Sequence, residues 1–154
     1  MGNAIPVLQL SWNNQFSYKK WDAGIYMRSW IGHDVFNMID MYYGLPNVRG
    51  QNVLADAYDK RKDIKGEKEL SDYWLEKGSF LKIDALNVGY TFNQNLIKPF
   101  KSLRLYATGR DLFVFTNYTG LDPEVNINGL EPGFEERNGY PKTRTFMFGL
   151  QLNF

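Results

Sequence analysis

The residue types that usually carry out enzymatic chemistry are scarce in this chain of 154 residues. His33 is the only histidine and cysteine is absent, so a histidine-based metal cluster or a histidine-paired nucleophile lacks the second residue that it needs. We expect His33 to be a polar loop residue. Asp122 and Glu124 could bind calcium, but Asp122 precedes Pro123, and an Asp-Pro pair favours a turn. We therefore predict that the chain is not an enzyme and holds neither a metal nor a cofactor.

Carboxylates are concentrated in one segment, residues 55–78, where positive charges are interleaved with them. The segment reads "ADAYDKRKDIKGEKELSDYWLEKG", and this mixture is typical of a solvated stretch rather than of an acid/base pair. The formal net charge of the whole chain is +1. Because nucleic-acid binding needs clustered lysine and arginine with an excess of positive charge, we expect no nucleic-acid partner.

Alternation of apolar and polar residues with a period of two is the strongest structural signal in the chain, and it predicts strands. The first such segment, "VLQLSWNNQFSYK", places Leu8, Leu10 and Trp12 on one face. The phase of the third segment changes at Asp84, which predicts a bulge or the membrane boundary there, and Asp111 interrupts the apolar face of the fourth. Five strands are predicted in all, over residues 7–19, 21–31, 79–92 and 102–115 and within the closing segment 140–154, where the alternation runs from Thr145 to Phe154.

The connections between the predicted strands alternate between short and long. Lys19 and Lys20 form a tight turn and residues 93–101 a modest one, whereas residues 33–78 and 116–142 are longer than ordinary loops. Short turns at one end and long loops at the other are the layout of an outer-membrane barrel. The strands, of about 10 to 14 residues, also reach the length of about 9 to 11 that a tilted transmembrane strand needs.

We therefore predict an all-β fold of antiparallel up-and-down strands that forms a section of a transmembrane β-barrel. The apolar faces would meet outer-membrane lipid, and the two long loops would be extracellular. A soluble antiparallel sandwich is the alternative, because its strands also alternate, although they are usually nearer 5 or 6 residues long. Five strands cannot close a transmembrane barrel, so we expect the missing strands to lie upstream.

Two groups of residues are candidate functional positions in this arrangement. The polar strand faces would line the lumen, and the fourth strand places Arg104, Tyr106 and Arg110 there. The apolar residues that precede Gly44 have the spacing of a helix, which predicts a short helix packed on the first loop's own core. The loop aromatics are candidate substrate or partner contacts, with local packing as the alternative for each: Tyr42, Tyr43, Trp74 and Tyr118.

Several blocks of the sequence resemble the C-terminal end of the SusC/RagA family of TonB-dependent outer-membrane transporters. The resemblance covers nearly the whole chain and is most specific in "GRDLFVFTNYTGLDPEV" and "YPKTRTFMFGLQLNF". It implies a barrel of roughly 22 strands with an N-terminal plug, which imports glycan oligosaccharides or peptides with a SusD-like surface lipoprotein. Residues 1–154 would be the C-terminal barrel segment, and the TonB complex would act through the missing N-terminal part.

The end of the chain, "GLQLNF", resembles the signal by which the barrel assembly machinery recognises outer-membrane proteins. The matching positions are Gly149, Leu152 and the aromatic Phe154, while Met147 stands where that signal usually has a polar residue. The alternative for Phe154 is an ordinary lipid-facing position. At the level of function, the alternative to a nutrient importer is a soluble carbohydrate-binding module whose exposed aromatic residues would stack on sugars.

Overall fold

Seven strands and one short helix make up the regular structure of the described residues. The computed structural model describes residues 2–46, 50, 52–66, 69–92 and 100–153. In chain order the elements are β1 (Leu8–Tyr18), β2 (Trp21–Ile31), β3 (Asp34–Phe36), the helix α1 (Met38–Tyr43), β4 (Leu75–Lys77), β5 (Phe80–Phe92), β6 (Ser102–Thr116) and β7 (Thr145–Asn153). Single 3₁₀ turns span Ala55–Ala57 and Asp72–Trp74. Within the described residues, no helix combines the length and the apolar character that crossing a membrane requires.

The five long strands form one sheet in the order β1-β2-β5-β6-β7. These strands follow one another across the sheet in chain order, which confirms the predicted all-β, antiparallel, up-and-down fold. In the β6–β7 pair, Leu105 lies opposite Leu150 and Tyr106 opposite Gly149. Apolar residues therefore meet apolar residues on one face, and the intervening positions meet on the other, as the period of two requires.

The phase of β5 changes between Asp84 and Asn87, as the sequence predicts. Asp84 forms an ion pair with Arg28 of β2, and the side chain of Asn87 lies over Gly24 of the same strand. Arg28 and Gly24 are four residues apart and share a face of β2, whereas Asp84 and Asn87 are three residues apart. Two residues at an odd spacing can share a face only if the strand contains an irregularity between them, such as a bulge.

A second irregularity lies in β6 at Asp111, where the sequence pattern breaks. Asp111 has a φ of 52°, the left-handed conformation that asparagine and aspartate tolerate better than most residues. Beyond it, Leu112 is buried while Phe113, Val114 and Phe115 are exposed. The strand nevertheless continues to Thr116, so the break changes the direction of side chains without ending the strand.

The chain divides into two compact units. We call residues 1–8, 30–80 and 116–141 the loop unit, and residues 9–29, 81–115 and 142–154 the strand unit. The two predicted long loops therefore fold together. Inside the loop unit, β3 pairs with β4 as a two-stranded antiparallel sheet, with Asp34 opposite Lys77 and Phe36 opposite Leu75. These two strands are absent from the predicted set, because three residues are too few to show a period of two.

The loop unit has its own core, which consists of Met41, Leu45 and Trp74 with Phe36, Met38, Tyr42 and Ile64 packed against it. This arrangement confirms the predicted short helix on the loop's own core. Asn37 caps the helix by accepting a hydrogen bond of 2.9 Å from the backbone N–H of Asp40, and Asp40 in turn forms an ion pair with Arg61. The helix is held by packing and caps, since six residues are too short to be stable alone.

Candidate functional site

A series of ion pairs crosses the polar face of the strand unit. The guanidinium of Arg104 on β6 donates two hydrogen bonds to the carboxylate of Asp22 on β2, one of them 2.9 Å long. Because β5 lies between β2 and β6, this pair spans a strand. A Cβ added to Gly89 of β5 would lie 2.5 Å from Arg104 Nη2 and 2.6 Å from Asp22 Oδ1. The pair therefore depends on the absence of a side chain at position 89.

Other ion pairs on this face involve a buried lysine. Lys82 is 2% exposed, and its Nζ lies 3.3 Å from Asp111 and 3.9 Å from Asp84. Asp84 also accepts a hydrogen bond of 3.0 Å from Arg28 Nη2. Each charge in the series therefore has an opposite charge within contact distance, and the pairs connect β2, β5 and β6.

The residues predicted to face the lumen fall into two groups. The guanidinium of Arg104 lies 5.3 Å from the ring centroid of Tyr106, a distance that suits a cation–π contact. The ring of Tyr106 occupies the space over Gly149, where an added Cβ would lie 2.3 Å from Cζ. Arg110 is separate from them: it is exposed and lies opposite Thr145. The sequence alone did not identify Asp22 as the partner of Arg104. Opposite charges on the polar faces of nearby strands could have indicated this pairing.

The other face of the strand unit is apolar and exposed. Trp12 is 62% exposed and Phe148 is 84% exposed. Trp21 packs edge-on against Tyr90 at a centroid distance of 4.8 Å, and Tyr90 packs in the same way against Phe92. Exposed apolar area on this scale marks a surface that contacts a partner or a membrane.

In the loop unit, the carboxylate of Glu76 links the two long segments. It accepts hydrogen bonds from Asn37 Nδ2 at 2.9 Å, and from the backbone N–H and the hydroxyl of Thr119, each at 2.8 Å. Asn37 and Glu76 belong to the first long segment and Thr119 to the second. One side chain therefore joins parts of the chain that are far apart in sequence.

Glu135 is a buried carboxylate in the loop unit, with three donors among the described residues. Its oxygens accept hydrogen bonds from the Tyr118 hydroxyl at 2.8 Å and from the backbone N–H groups of Leu121 at 2.7 Å and Asp122 at 3.1 Å. Burial, together with the adjacent carboxylate of Glu135, raises the pKa of Tyr118 well above its usual range. Tyr118 therefore stays protonated and remains a donor to Glu135 at neutral pH.

His33 lies in a loop as predicted, but the structure corrects the expectation of a polar position there. Its side chain is completely buried and packs edge-on against Trp30 and Phe80. Nε2 lies 3.2 Å from the carbonyl oxygen of Pro123, while Nδ1 has no hydrogen-bond partner among the described residues. His33 therefore packs the first long segment against the second.

The four loop aromatics predicted as possible contacts differ in accessibility. Trp74 and Tyr118 are buried, and Trp74 Nε1 donates a hydrogen bond of 3.1 Å to the carbonyl oxygen of Glu69. Tyr42 and Tyr43 are half-buried, and the guanidinium of Arg137 lies 4.8 Å from the Tyr42 ring centroid. This burial favours the local-packing alternative for Trp74 and Tyr118.

The segment around Pro123 forms a turn. Asp122 Oδ1 accepts a hydrogen bond of 2.9 Å from the backbone N–H of Glu124, the geometry of an Asx turn. Asp122 and Glu124 line a cavity of about 190 Å³ together with Phe134, Glu136 and Tyr140. Over the described ranges, no group of three or more histidine, aspartate or glutamate residues is arranged to hold a metal ion.

Two of the three residues predicted as an assembly signal can be placed in the structure. Gly149 lies opposite Tyr106 and Leu152 opposite Leu103 in the β6–β7 pair, while Phe154 lies outside the described residues. The contact between Tyr106 and Gly149 gives this glycine a packing role that does not depend on any signal.

Comparisons with known proteins identify similar receptors, although no protein-family model matches the chain. The chain is 31% identical to the TonB-dependent receptor SusC of Bacteroides thetaiotaomicron over 92% of its length, which is 14% of that receptor. It is 26% identical to the TonB-dependent receptor P3 of Formosa agariphila over 100% of its length and 17% of that protein. The chain therefore spans only a small part of the curated relatives that it matches.

Solved structures with a similar fold include the RagAB peptide transporter, with a TM-score of 0.74 and 19% identity over 92% of this chain and 17% of that one. The RagAB peptide importer in its closed-closed state has a TM-score of 0.70 and 18% identity, and the match covers 97% of this chain and 17% of that one. These similarities show that the sheet and the long connections have the fold of a section of such a barrel.

Proposed function

Because the chain belongs to the SusC/RagA family of TonB-dependent receptors, which are proteins of the Gram-negative outer membrane, we propose that it forms part of the barrel of a nutrient importer. The observation that carries this proposal is the organisation of the two connections between long strands. Residues 33–78 and 116–142 do not form separate loops but belong largely to one folded unit, while the other connections are short. Long strands together with long connections that fold as one unit suit a protein that admits selected solutes.

Within the receptor, we place residues 1–154 in the C-terminal part of the barrel. β1 and β7 are the outer strands of the described sheet, and each would leave backbone hydrogen-bonding groups unpaired in lipid if no further strand followed. Upstream strands of the same receptor would pair with these edges and close the barrel. The plug and the segment that contacts the TonB complex would also come from upstream.

The loop unit is extracellular in this proposal, and the short turns face the periplasm. An epitope inserted between Gly129 and Leu130 of the complete receptor tests this orientation, since Leu130 is fully exposed. Antibody added to intact cells should label this insertion and should not label an epitope placed between Lys19 and Lys20. Labelling of the Lys19 insertion alone would invert the topology.

The substrate class in this proposal is a glycan oligosaccharide or a peptide. Cells that make the complete receptor should take up one of the two labelled classes, and the uptake should disappear when the TonB complex is inactivated. One of the similar solved structures is that of a peptide importer, which makes a peptide mixture a suitable first probe. Uptake that persists without the TonB complex would exclude energised import.

A SusD-like surface lipoprotein is the proposed partner of the loop unit. Tyr42 and Tyr43 are the predicted contacts that keep exposed area, since both are half-buried. Replacing Tyr43 by Ala should reduce the amount of lipoprotein that copurifies with the complete receptor. Tyr140→Ala is the matched control, because Tyr140 is an exposed tyrosine of the same unit that was not predicted as a contact. Equal losses from both variants would exclude Tyr43 as a specific contact.

The barrel assembly machinery is the proposed partner of the final strand, through Gly149, Leu152 and Phe154. Deleting Phe154 from the complete receptor should lower the amount of folded barrel in the outer membrane far more than Phe146→Ala does. Phe146 is an exposed aromatic residue at the other end of β7, and burial of one such side chain is worth only about 1.5–3 kcal/mol. Equal losses would make Phe154 an ordinary lipid-facing residue.

A further inference from the structure

A shallow groove crosses the apolar face of the strand unit. It has a volume of about 270 Å³, and its lining includes Trp21, Val88, Tyr90, Leu105, Ala107 and Phe148. Ala107 is the smallest of these side chains and lies opposite Phe148 in the β6–β7 pair. The depth of the groove therefore depends on the small side chain at position 107, because a larger residue there would fill it.

One end of the groove lies near the short turns of the sheet. Trp21 is the first residue of β2, and it packs against Tyr90, two residues from the end of β5, at a centroid distance of 4.8 Å. Aromatic side chains with a polar atom collect where the hydrocarbon of a membrane meets its headgroups. The end of the groove at Trp21 therefore suits the interfacial region, and the rest of the lining suits acyl chains.

The turn edge of the sheet is positively charged. The described residues there, 17–21, 91–92 and 100–103, contain three lysines and no aspartate or glutamate: Lys19, Lys20 and Lys101. The carbonyl oxygen of Lys20 accepts a hydrogen bond of 2.9 Å from Thr91 N–H, and Lys101 N–H donates one of 2.8 Å to the carbonyl oxygen of Asn153. These bonds attach both lysines to the sheet edge, where their charge is complementary to an anionic headgroup.

We propose that this groove binds one phospholipid with an anionic headgroup. An acyl chain lies along the apolar lining, and the phosphate lies near Lys20 and Lys101. The site rests on the proposed function, because it requires the apolar face to meet the membrane, and the turn edge assigns the lipid to the periplasmic leaflet.

The test uses the complete receptor, delipidated in detergent and titrated with phosphatidylglycerol, with bound lipid counted by native mass spectrometry. Ala107→Leu fills the groove and should weaken binding about tenfold, the factor that corresponds to about 1.4 kcal/mol. Ala23→Leu is the matched control: Ala23 lies two residues from Trp21 on β2 and is not among the residues that line the groove. Its binding should equal that of the unchanged receptor, and both variants should give the same folded fraction.

The headgroup is tested with phosphatidylcholine of the same acyl chains. It should bind more weakly than phosphatidylglycerol, and replacement of Lys20 and Lys101 by Gln should abolish this preference. Unchanged binding in Ala107→Leu, or equal binding of the two lipids to the unchanged receptor, would overturn the proposal. Import is measured separately in cells, so a receptor that binds the lipid in the groove but imports nothing would contradict the proposed function and leave the lipid site standing.

Discussion

In the loop unit, the half-buried carboxylate of Glu76 and the buried carboxylate of Glu135 accept hydrogen bonds from backbone N–H groups and hydroxyls. In the strand unit, the carboxylates of Asp22, Asp84 and Asp111 face arginine or lysine instead. The difference follows from the backbone. A sheet pairs its own N–H groups, whereas irregular segments leave donors that a side chain has to satisfy. Glu76 and Glu135 therefore organise the backbone of the loop unit, which also contains ion pairs such as that of Asp40 with Arg61. The three carboxylates of the strand unit instead connect neighbouring strands.

The two units also differ in where their apolar side chains lie. The loop unit buries Met41, Leu45 and Trp74 in a core of its own. The strand unit leaves large apolar residues such as Trp12 and Phe148 exposed. The loop unit can therefore be stabilised largely from within, whereas the strand unit needs lipid and the remaining strands of its barrel. Each of the following experiments changes one side of this comparison.

The largest effect is expected on the apolar face of β7. Leu150→Arg should destabilise the complete barrel by about 2–4 kcal/mol if position 150 lies near the bilayer midplane, because a charge would then face lipid. Met147→Arg on the same strand is the control, since Met147 lies opposite Thr108 on the polar face and should cost much less. Unfolding of both variants in lipid vesicles measures the difference, and equal losses would show that the faces have been assigned incorrectly.

In the loop unit, Glu135→Ala should cost about 2–3 kcal/mol, because it leaves buried donors without their charged acceptor. Hydrogen exchange of the Leu121 and Asp122 amides should accelerate, while exchange in the long strands stays unchanged. Glu136→Ala is the matched control, because Glu136 is the adjacent glutamate and is exposed. Faster exchange in the strands of the Glu135 variant would show that the two units do not unfold independently.

Gly89→Ala should cost about 1–3 kcal/mol, the usual effect of overpacking, because its Cβ would push Arg104 away from Asp22. The same substitution in a receptor that already carries Asp22→Ala and Arg104→Ala should cost much less. This double-mutant cycle separates the effect of the ion pair from the effect of the backbone. A cost that persists without the pair would show that position 89 needs glycine for another reason.

The smallest expected effect is a loosening of the N-terminal segment in acid. Burial acts to raise the pKa of Asp34, but the hydrogen bonds from Lys77 and from the Asn3 backbone outweigh it, and the pKa lies below its usual value. The ionised Asp34 carboxylate therefore stabilises the folded N-terminal segment fully at any pH above its unfolded pKa of about 3.9. This stabilisation is lost as the pH falls through the lower pKa that Asp34 has in the folded protein.

Protection of the Asn3 amide against hydrogen exchange measures this effect, because that amide donates to Asp34 Oδ2 at 3.0 Å. After correction for the intrinsic pH dependence of exchange, protection should fall in acid to the level of Asp34→Asn. The variant itself should show little change with pH. Equal protection of the two proteins at neutral pH would contradict a role for the Asp34 carboxylate.

Much of the strand unit could be predicted because its signals are local. The period of two predicts strand bounds within one residue for four of the five long strands: 7–19 against Leu8–Tyr18, 21–31 against Trp21–Ile31, 79–92 against Phe80–Phe92, and 102–115 against Ser102–Thr116. The fifth strand, predicted within 140–154, spans Thr145–Asn153. The change of phase beside Asp84 also follows from neighbouring residues. The partner of Arg104 was not predicted, because Asp22 meets it only when β2 and β6 lie on either side of β5.

Little of the loop unit could be predicted beyond its short helix. β3 and β4 are too short to show a period of two. They can be identified as strands only because they pair with each other. The charged segment around residue 61 was expected to be solvated, yet Arg61 pairs with the buried Asp40 and lies over the Trp74 ring at 5.6 Å. Contacts of this kind join residues that are far apart in sequence, and the residues next to each one do not indicate its partner.

By itself, the sequence determined the sheet, the two faces of its strands and the alternation of short and long connections. These properties follow from side-chain spacing, and a period of two places side chains on opposite faces wherever a strand forms. Only the tertiary structure decided that the two long segments form one unit, that Glu76 and Glu135 satisfy its backbone, and that His33 is buried. Burial and hydrogen-bond partners depend on which distant segments of the chain pack against one another. Where the local pattern is irregular, neighbouring residues do not indicate which segments these are.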